Sequence, residues 1–267
     1  MPPSDRHTGP VIVDARTRTR VVKRLREAGC VASEEEADEL LACVRDGEEL
    51  EDVLTRREQG EPLAWITGQI EFCDRRLSID RGVYVPRRQT EELVHQAAEL
   101  LGIGRAADLC TGSGAVARAL MAENPEASVL GVDNDQRAVA CARKNGVPVI
   151  LGHLGDPLGS SCVDLVTAVA PYVPSGSLRL LPRDVTEYEP RAALDGGGDG
   201  LALVRQVVRS AARIVRAGGW LVLELGGDQD RLLAPMLKAA GFESVRTWSD
   251  DEGDLRGLAA QLRAPPG

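Results

Sequence analysis

The first part of the chain carries apolar residues at helical spacing. They recur every three or four positions, for example at Val21, Val22 and Leu25, and the same spacing returns further along. This period places apolar side chains on one face of each helix. Because no alternating segment interrupts it, the pattern predicts a small helical domain over residues 14–62, after a flexible tail at residues 1–13.

A different period follows, in which apolar and polar side chains alternate. The apolar positions of this stretch are Ile70, Phe72, Leu77, Ile79, Val83 and Val85. Alternation gives a segment one apolar and one polar face, as in a half-buried strand. It predicts a β-hairpin within residues 66–85, and we place a hairpin linker at residues 63–86.

The remaining residues, 87–267, alternate between apolar runs and helical patterns. The runs predict strands at residues 106–109, 128–132, 147–151, 163–169 and 220–225, and the helical patterns predict helices at residues 135–144, 200–215 and 229–240, with a further helix capped by Thr90. This alternation is typical of an α/β fold with a doubly wound, mostly parallel sheet. In such sheets ligands bind beyond the carboxyl ends of the strands.

A glycine-rich turn follows the first of these strands, and an acid closes the second. Thr111-Gly112-Ser113-Gly114 comes directly after Asp108-Leu109-Cys110, and Asp133 stands at the end of the next apolar run. Glycines let a backbone approach a ligand closely, and a carboxylate after the second strand can accept both hydroxyls of a ribose. The spacing is not GxGxxG, and no P-loop lysine follows. The turn and its acid resemble the S-adenosylmethionine site of class I methyltransferases.

The composition of the chain argues against several classes of partner. The net charge of −9 argues against duplex nucleic acid, which needs a basic field. No apolar run approaches the ~20 residues of a membrane span, and the N-terminus lacks an apolar signal core, so we expect no membrane and a cytoplasmic location. The six cysteines form no CxxC pair and the three histidines are scattered, so no metal site is expected.

A second group of residues follows the fourth predicted strand. It reads Val169-Ala170-Pro171-Tyr172-Val173-Pro174. Two prolines around an aromatic residue favour a rigid, extended loop. Such a loop suits the wall of an active site, and a tyrosine ring there could contact a cationic sulfonium. The alternative is that Tyr172 packs beneath a neighbouring loop and serves stability.

Six blocks, in order, resemble the protein-(glutamine side-chain) methyltransferase family, whose known members methylate the Gly-Gly-Gln loop of peptide release factors. The blocks are GEPLAWITG (60–68), VYVPRRQTEELV (83–94), DLCTGSGAVA (108–117), APYVP (170–174), YEPRAALDGGGDGLALVRQVV (188–208) and GGWLVLELG (218–226). The resemblance implies a helical N-terminal domain, a β-hairpin and a class I methyltransferase domain that binds S-adenosylmethionine.

The resemblance also implies roles for individual residues. The candidate cofactor-binding residues are Asp108, Cys110, Thr111, Gly112, Gly114, Asp133, Asn134, His153, Arg87 and Thr90. The candidate catalytic residues, which align with the family's Asn-Pro-Pro-Tyr signature, are Val169, Ala170, Pro171 and Tyr172. We expect Gly112 and Gly114 to face the cofactor and Tyr172 to line the pocket.

The chain departs from the family pattern on the acceptor side. Val169 stands where the family usually has the asparagine that orients the glutamine amide, and valine makes no side-chain hydrogen bond. Ala170 replaces the first proline, Cys110 replaces a glycine of the turn, and His153 aligns with an acid near the adenine. The cofactor half of the signature is therefore mostly kept, whereas the acceptor half is altered.

Three functions remain open at this point. The first is methyl transfer to a protein acceptor, such as a release factor, or to a small molecule. The second is use of S-adenosylmethionine as the substrate itself, with cyclisation of its aminobutyrate chain and release of methylthioadenosine. The third is a non-catalytic, cofactor-binding paralogue. Cofactor binding and the identity of the nucleoside product distinguish them.

Overall fold

A computed structural model describes residues 14–264, which fall into two compact units. The first unit contains the described residues up to Gln69 together with Pro182–Tyr188. The second contains Ile70–Leu181 and the described residues from Glu189 onward. The division of the chain into a helical domain, a hairpin linker and a catalytic domain at the boundaries given above stays a prediction, and the tail placed at residues 1–13 lies outside the described residues.

The first unit is helical, as the spacing of its apolar residues predicts. Its helices are α1 (Ala15–Glu27), α2 (Ser33–Cys43), α3 (Gly47–Glu58), α4 (Leu63–Thr67) and α8 (Arg183–Tyr188). Asp14 and Asp46 cap α1 and α3, because each carboxylate accepts a hydrogen bond from a backbone N–H of the first turn. The apolar faces of α1, α2 and α3 meet in one core, in which Leu25, Leu40 and Leu54 are fully buried.

The hairpin is shorter than the alternation predicts. It consists of β1 (Gln69–Phe72) and β2 (Arg75–Ser78), joined at Cys73 and Asp74, whose φ angles are 48° and 55°. Two consecutive positive φ angles are typical of a tight two-residue hairpin turn. The predicted hairpin was too long at both ends, because α4 extends to Thr67 and residues 79–85 form no strand. Those residues keep an alternating burial in an irregular loop.

The second unit is built on a seven-stranded sheet of order β5-β4-β3-β6-β7-β9-β8. Its strands are β3 (Arg105–Leu109), β4 (Ser128–Asp133), β5 (Val149–Leu151), β6 (Val163–Ala168), β7 (Val215–Glu224), β8 (Phe242–Ser249) and β9 (Leu255–Leu262). Strands β3 to β7 are parallel, and β9 is antiparallel to both of its neighbours. The predicted doubly wound, mostly parallel sheet is confirmed.

Helices cover both faces of this sheet. They are α5 (Glu91–Leu101), α6 (Ala115–Glu123), α7 (Gln136–Lys144), α9 (Ala202–Ile214) and α10 (Gln229–Ala239). Two apolar clusters show the layering. One joins α5 and α6 to Ala106, and the other joins α9 and α10 to Ala107. Successive residues of β3 thus point into opposite layers, as strand geometry requires.

Strands β8 and β9 were not predicted. β8 lies at the sheet edge and is mostly exposed, so it lacks an apolar pattern. β9 contains Gly257, where a Cβ atom would lie 2.1 Å from the Trp248 ring. That glycine, like the neighbouring alanines, has low strand propensity, yet the close approach of the ring requires it.

The chain order reverses at β3, which lies between β4 and β6. A crevice opens at such a point beyond the carboxyl ends of the strands, where ligands bind in doubly wound sheets. Leu109, Asp133 and Ala168 end the three strands there. Among residues 14–264, no helix is both long and apolar enough to cross a membrane.

Candidate functional site

The turn after β3 has an unusual backbone. Gly112 and Gly114 have φ angles of 57° and 80°, and Cys110, which is not a glycine, has a φ of 60°. A side chain in this left-handed region costs roughly 1–2 kcal/mol. Cys110 thus occupies a position whose backbone favours glycine, in agreement with the glycine that the family resemblance implies.

Asp108 holds this turn in place. Its two carboxylate oxygens accept hydrogen bonds from the hydroxyls of Thr111, at 2.6 Å, and Thr167, at 2.7 Å. The residue is 2% exposed, and burial raises its pKa to about 6 although both hydroxyl contacts act in the opposite direction. Because β6 carries Thr167, Asp108 connects the turn to the neighbouring strand.

Asp133 connects the turn to the strand on the other side. Its Oδ2 accepts a hydrogen bond of 2.8 Å from the backbone N–H of Gly112, and its Oδ1 accepts one of 2.9 Å from the N–H of Asp135. Burial raises the pKa of this carboxyl. Each carboxylate oxygen retains a further lone pair, so the group can still accept hydrogen bonds from a pair of hydroxyls.

Two cavities adjoin the turn. The larger, of about 160 Å³, is lined by Asp133, Asn134 and His153 among others, and the smaller, of about 40 Å³, by Thr90, Thr111 and Ser113. Four residues line both cavities and define their junction: Tyr84, Cys110, Gly112 and Val169. The site is thus an elongated space with two ends and a shared middle.

Several predicted site residues meet in the larger cavity. Asn134 and His153 are exposed and line it beside Asp133, and the Nε2 of His153 lies 3.3 Å from Gln206 Oε1. An imidazole, an amide and a carboxylate therefore stand at one end. They offer neutral and anionic hydrogen-bonding groups of the kind that suit a nucleoside.

Gly114, which was predicted to face the cofactor, is not among the residues that line either cavity. A Cβ atom there would come within 2.9 Å of Val147 Cγ2 and 3.0 Å of Ala142 Cβ. This glycine precedes α6 and lets it pack closely against α7. Gly112 differs, because a Cβ atom at that position would meet no protein atom within 4 Å.

Thr90 and Arg87 occupy different positions near the smaller cavity. Thr90 precedes α5 but makes no capping hydrogen bond, contrary to the prediction, and its buried Oγ1 has no partner among the described residues. It lines the smaller cavity, so its hydroxyl is available there. The Arg87 guanidinium forms an ion pair with Glu189 and lies 5.1 Å from the centre of the Tyr84 ring. Arg87 therefore supports the cavity wall from behind.

The segment that aligns with the family signature divides into two parts. Val169 lies at the junction, and Pro171 lines the larger cavity. Ala170 is 2% exposed and packs in the core of the sheet. The segment thus presents two apolar side chains to the site.

Tyr172 is not among the residues that line either cavity, and its place in the pocket wall stays a prediction. Its hydroxyl donates a hydrogen bond of 2.8 Å to Glu224 and accepts one of 3.2 Å from the Gln89 side-chain amide. Its carbonyl accepts one of 2.8 Å from Gln229. A Cβ atom at Gly200 would lie 2.2 Å from that carbonyl oxygen, so the neighbouring loop packs tightly against the residue. These contacts fix the hydroxyl and the carbonyl of Tyr172 and favour a structural role.

Tyr84 is the aromatic residue that the sequence analysis missed. It is half-buried and lines both cavities. The alternating pattern assigned this stretch to a strand, where Tyr84 would face away from the apolar side. The signal that could have identified it is its place in the VYVPRR block, next to the predicted Arg87 and Thr90.

These residues fit S-adenosylmethionine. Asp133 offers a carboxylate for ribose hydroxyls, Gly112 leaves open space beside it, and Thr90 offers an unpartnered hydroxyl at the other end. No lysine or arginine lines either cavity among the described residues, so the site lacks the cations that favour a phosphate group. The two ends match an adenosine and an amino acid moiety.

The described residues were also compared with the requirements of a metal site. Among residues 14–264, no three His, Cys, Asp or Glu side chains are grouped so as to hold a metal ion. The six cysteines are free thiols.

Comparison with known proteins agrees with this geometry. Residues 88–148 match the model of the methyltransferase small domain. The chain is 37% identical over 232 residues to a release factor glutamine methyltransferase of Geobacter sulfurreducens, covering 84% of this chain and 79% of the relative. It is 34% identical over 218 residues to the one of Salmonella typhimurium, covering 78% of each chain.

A solved structure supports the fold. It is that of the T. thermophilus 16S rRNA N2 G1207 methyltransferase in complex with S-adenosylmethionine and guanosine, with a TM-score of 0.50 and 20% identity. The match covers 74% of this chain and 46% of that chain, and at this identity it concerns the fold alone. The curated relatives and the matching domain model identify the chain as an S-adenosylmethionine-dependent methyltransferase that belongs to the release factor glutamine methyltransferase family.

Proposed function

We propose that this methyltransferase acts at the junction of the two cavities on an acceptor other than the glutamine of a release-factor Gly-Gly-Gln loop. The observation that carries the proposal is the position of Val169, which lines both cavities. The family resemblance implies an asparagine at this position, where its amide orients the glutamine side chain.

The nucleoside of the cofactor suits the larger cavity, and its amino acid moiety suits the smaller one. Asp133 would hold the ribose hydroxyls in the larger cavity, with Asn134 and His153 beside the adenine. Thr90 would donate its free hydroxyl to the amino acid moiety in the smaller cavity. Because the sulfur atom joins these two moieties, it belongs at the junction. S-adenosylmethionine, when bound, supplies an electrophilic methyl group on that sulfonium sulfur.

The junction residues would position the reactants and exclude water. Val169 and Cys110 present apolar or weakly polar groups, and Gly112 leaves room for the ligand to approach the backbone. Such a surface favours methyl transfer by holding the nucleophile in line and removing its solvent. Pro171 adds an apolar wall in the larger cavity.

The other predicted residues would support this surface. Asp108 and Thr111 hold the turn through their hydrogen bond, and Gly114 permits the packing of α6. Arg87 would fix the Tyr84 ring from behind. Ala170 and Tyr172 would hold the signature segment in the core and against Glu224, respectively.

Loss of the asparagine should weaken glutamine orientation. A side-chain amide can make two hydrogen bonds to the substrate amide, each with a net contribution of about 0.5–1.5 kcal/mol. Valine makes neither. The names of the relatives support a protein acceptor for this chain, whereas the altered segment supports a changed one, and a small-molecule acceptor is the other outcome to test.

The test is methylation of a synthetic Gly-Gly-Gln peptide, followed by mass spectrometry of the peptide and of the nucleoside product. We expect slow methylation by the wild-type protein and a faster reaction by Val169→Asn. Val149→Asn, a half-buried valine that lines neither cavity, serves as the matched control. Rapid stoichiometric methylation by the wild type would refute the altered acceptor. Release of methylthioadenosine in place of S-adenosylhomocysteine would instead indicate that the cofactor itself is the substrate.

A further inference from the structure

The junction offers few groups that can form a hydrogen bond with an acceptor molecule. Of its four residues, Gly112 has no side chain, Val169 is apolar, and Cys110 carries only a weakly polar thiol. Tyr84 is the fourth, and its phenolic hydroxyl can donate a hydrogen bond. The polar side chain that the family places at position 169 therefore has a possible substitute on the neighbouring wall.

The position of Tyr84 is well defined. The Arg87 guanidinium lies 5.1 Å from the ring centre, and Arg87 in turn forms an ion pair with Glu189. Glu189 is 6% exposed and also accepts a hydrogen bond of 3.3 Å from the backbone N–H of Val85. A ring held by this chain of contacts loses little further entropy when it binds a ligand.

The hydroxyl is a donor at neutral pH. Burial raises the pKa of Tyr84 above its ordinary value, and the charge of Arg87 only partly opposes this effect. The group therefore stays protonated and offers its O–H to an oxygen with a free lone pair. A neutral donor beside an arginine favours a carbonyl or carboxylate oxygen over an amine.

We propose that the Tyr84 hydroxyl determines acceptor specificity by holding a carbonyl or carboxylate oxygen of the acceptor, in place of the side-chain amide that Val169 lacks. The inference rests on the proposed placement of the reaction at the junction. The acceptor is then a molecule whose nucleophilic atom neighbours such an oxygen, as in a side-chain amide or a carboxylic acid.

The two sources of that oxygen differ in how the proton is handled. When a carboxylate oxygen attacks, it forms a bond to the methyl carbon, the carbon–sulfur bond breaks, and the electron pair returns to sulfur, giving a methyl ester and a neutral thioether without any proton transfer. When an amide nitrogen attacks, the same bonds form and break, and one N–H proton must pass to water. No carboxylate or imidazole stands among the four junction residues to take that proton.

A pair of peptides separates these sources, because Gly-Gly-Gln and Gly-Gly-Glu peptides differ only in the amide and the carboxylate. Peptide binding is measured by calorimetry on protein saturated with S-adenosylhomocysteine, and turnover is measured with S-adenosylmethionine. Tyr84→Phe removes only the hydroxyl. We expect it to weaken binding and turnover about three- to ten-fold for the amide peptide and about ten- to hundred-fold for the carboxylate peptide.

The matched control is Tyr188→Phe, which removes a hydroxyl that donates to the backbone carbonyl of Gln59 in the first unit. It should leave both peptides unaffected. In Tyr84→Phe, the affinity for S-adenosylmethionine should stay within about two-fold of the wild type, since the hydroxyl is assigned to the acceptor. A larger loss of cofactor affinity than of peptide affinity would overturn that assignment.

Other results decide the remaining possibilities. The inference would be refuted if the wild type and Tyr84→Phe bound the peptides equally well. It would also be refuted if the wild type bound neither peptide. Failure of the wild type to bind S-adenosylmethionine would refute the proposed function itself, and the inference with it. Normal cofactor binding with unchanged peptide selectivity in Tyr84→Phe would refute the inference alone.

Discussion

The hydroxyl of Tyr172 donates a hydrogen bond of 2.8 Å to Oε1 of Glu224, at the end of β7. Glu224 is 2% exposed, and its other carboxylate oxygen has no hydrogen-bond partner among the described residues. The tyrosine hydroxyl is therefore an important partner of a buried acid. This relationship favours a role for Tyr172 in the stability of the site.

Tyr172→Phe should accordingly destabilise the protein by about 1–3 kcal/mol, because a buried carboxylate oxygen loses its donor. Turnover per folded molecule should remain near the wild-type value. Chemical denaturation and initial rates, measured on the same samples, check both parts. Gln89→Ala removes only the longer, exposed bond to the same hydroxyl and should have a small effect. Normal stability with reduced turnover would return Tyr172 to the reaction site.

The cofactor residues predicted from the sequence follow neighbouring strands of the sheet. The strands β3, β4 and β6 are mostly apolar, because parallel strands in this position are buried on both faces. Their ends fix where the turn and the acid stand, so the contact between Gly112 and Asp133 follows from local order alone. Short-range patterns are sufficient where neighbouring elements build the site.

The acceptor end depends on contacts between residues far apart in the chain. The direction of the Tyr172 ring is set by Glu224 and Gln89, neither of which is near it in sequence. Tyr84 lies in a stretch whose alternating pattern resembles a strand, although no strand forms there. Tertiary contacts of this kind leave no periodic signal, so the sequence did not identify Tyr84 as a residue that lines both cavities.

Asp133→Ala should weaken binding of S-adenosylmethionine by about 1.5–3 kcal/mol, because the ribose loses hydrogen bonds to a charged group. Isothermal titration calorimetry measures this directly. Asp133→Asn keeps one oxygen acceptor without the charge, so its affinity for S-adenosylmethionine should lie between that of the wild type and that of Asp133→Ala. Because Asp133 also accepts hydrogen bonds from Gly112 and Asp135, melting temperatures must accompany the titrations. An unchanged affinity in the folded alanine variant would remove Asp133 from the site.

The buried Asp108 should make stability depend on pH. Its pKa is about 6 in the folded protein, above the ordinary value of 3.8, because burial disfavours the charged carboxylate. A raised folded pKa means that the folded state binds the proton more tightly. This contribution is complete below about pH 4 and is lost as the pH rises through about 6, for a total of about 3 kcal/mol.

Asp108→Asn should abolish that part of the profile, since asparagine does not titrate. The measurement is urea denaturation of both proteins at several pH values between about 4 and 7. The stability of the wild type relative to the variant should fall across this range. A difference that stays constant with pH would show that Asp108 keeps an ordinary pKa in the folded protein.

Because the backbone at Cys110 is strained, we expect glycine at this position to give a more stable protein than alanine, which reverses their usual order. Glycine normally lowers stability relative to alanine, because the unfolded chain gains freedom. At a φ of 60° the order should reverse, and Cys110→Gly should be about 1 kcal/mol more stable than Cys110→Ala. Both variants lack the thiol, so their difference isolates the backbone. Equal melting temperatures would indicate that the turn relaxes without cost.

The two glycines of the turn should respond differently to alanine. At Gly114 the new methyl group would lie 2.9 Å from Val147 Cγ2, and the φ of 80° adds backbone strain, so Gly114→Ala should mainly lower stability. At Gly112 the methyl group would meet no protein atom within 4 Å but would occupy the junction of the cavities. The backbone strain of Gly112→Ala should be similar to that of Gly114→Ala, because both φ angles are positive. Gly112→Ala should in addition lose affinity for S-adenosylmethionine, because its methyl group takes up space that the ligand needs. Thermal melts and calorimetric titrations of both variants provide the comparison. If Gly114→Ala lost affinity while remaining as stable as the wild type, Gly114 would face the ligand after all, as the sequence first suggested.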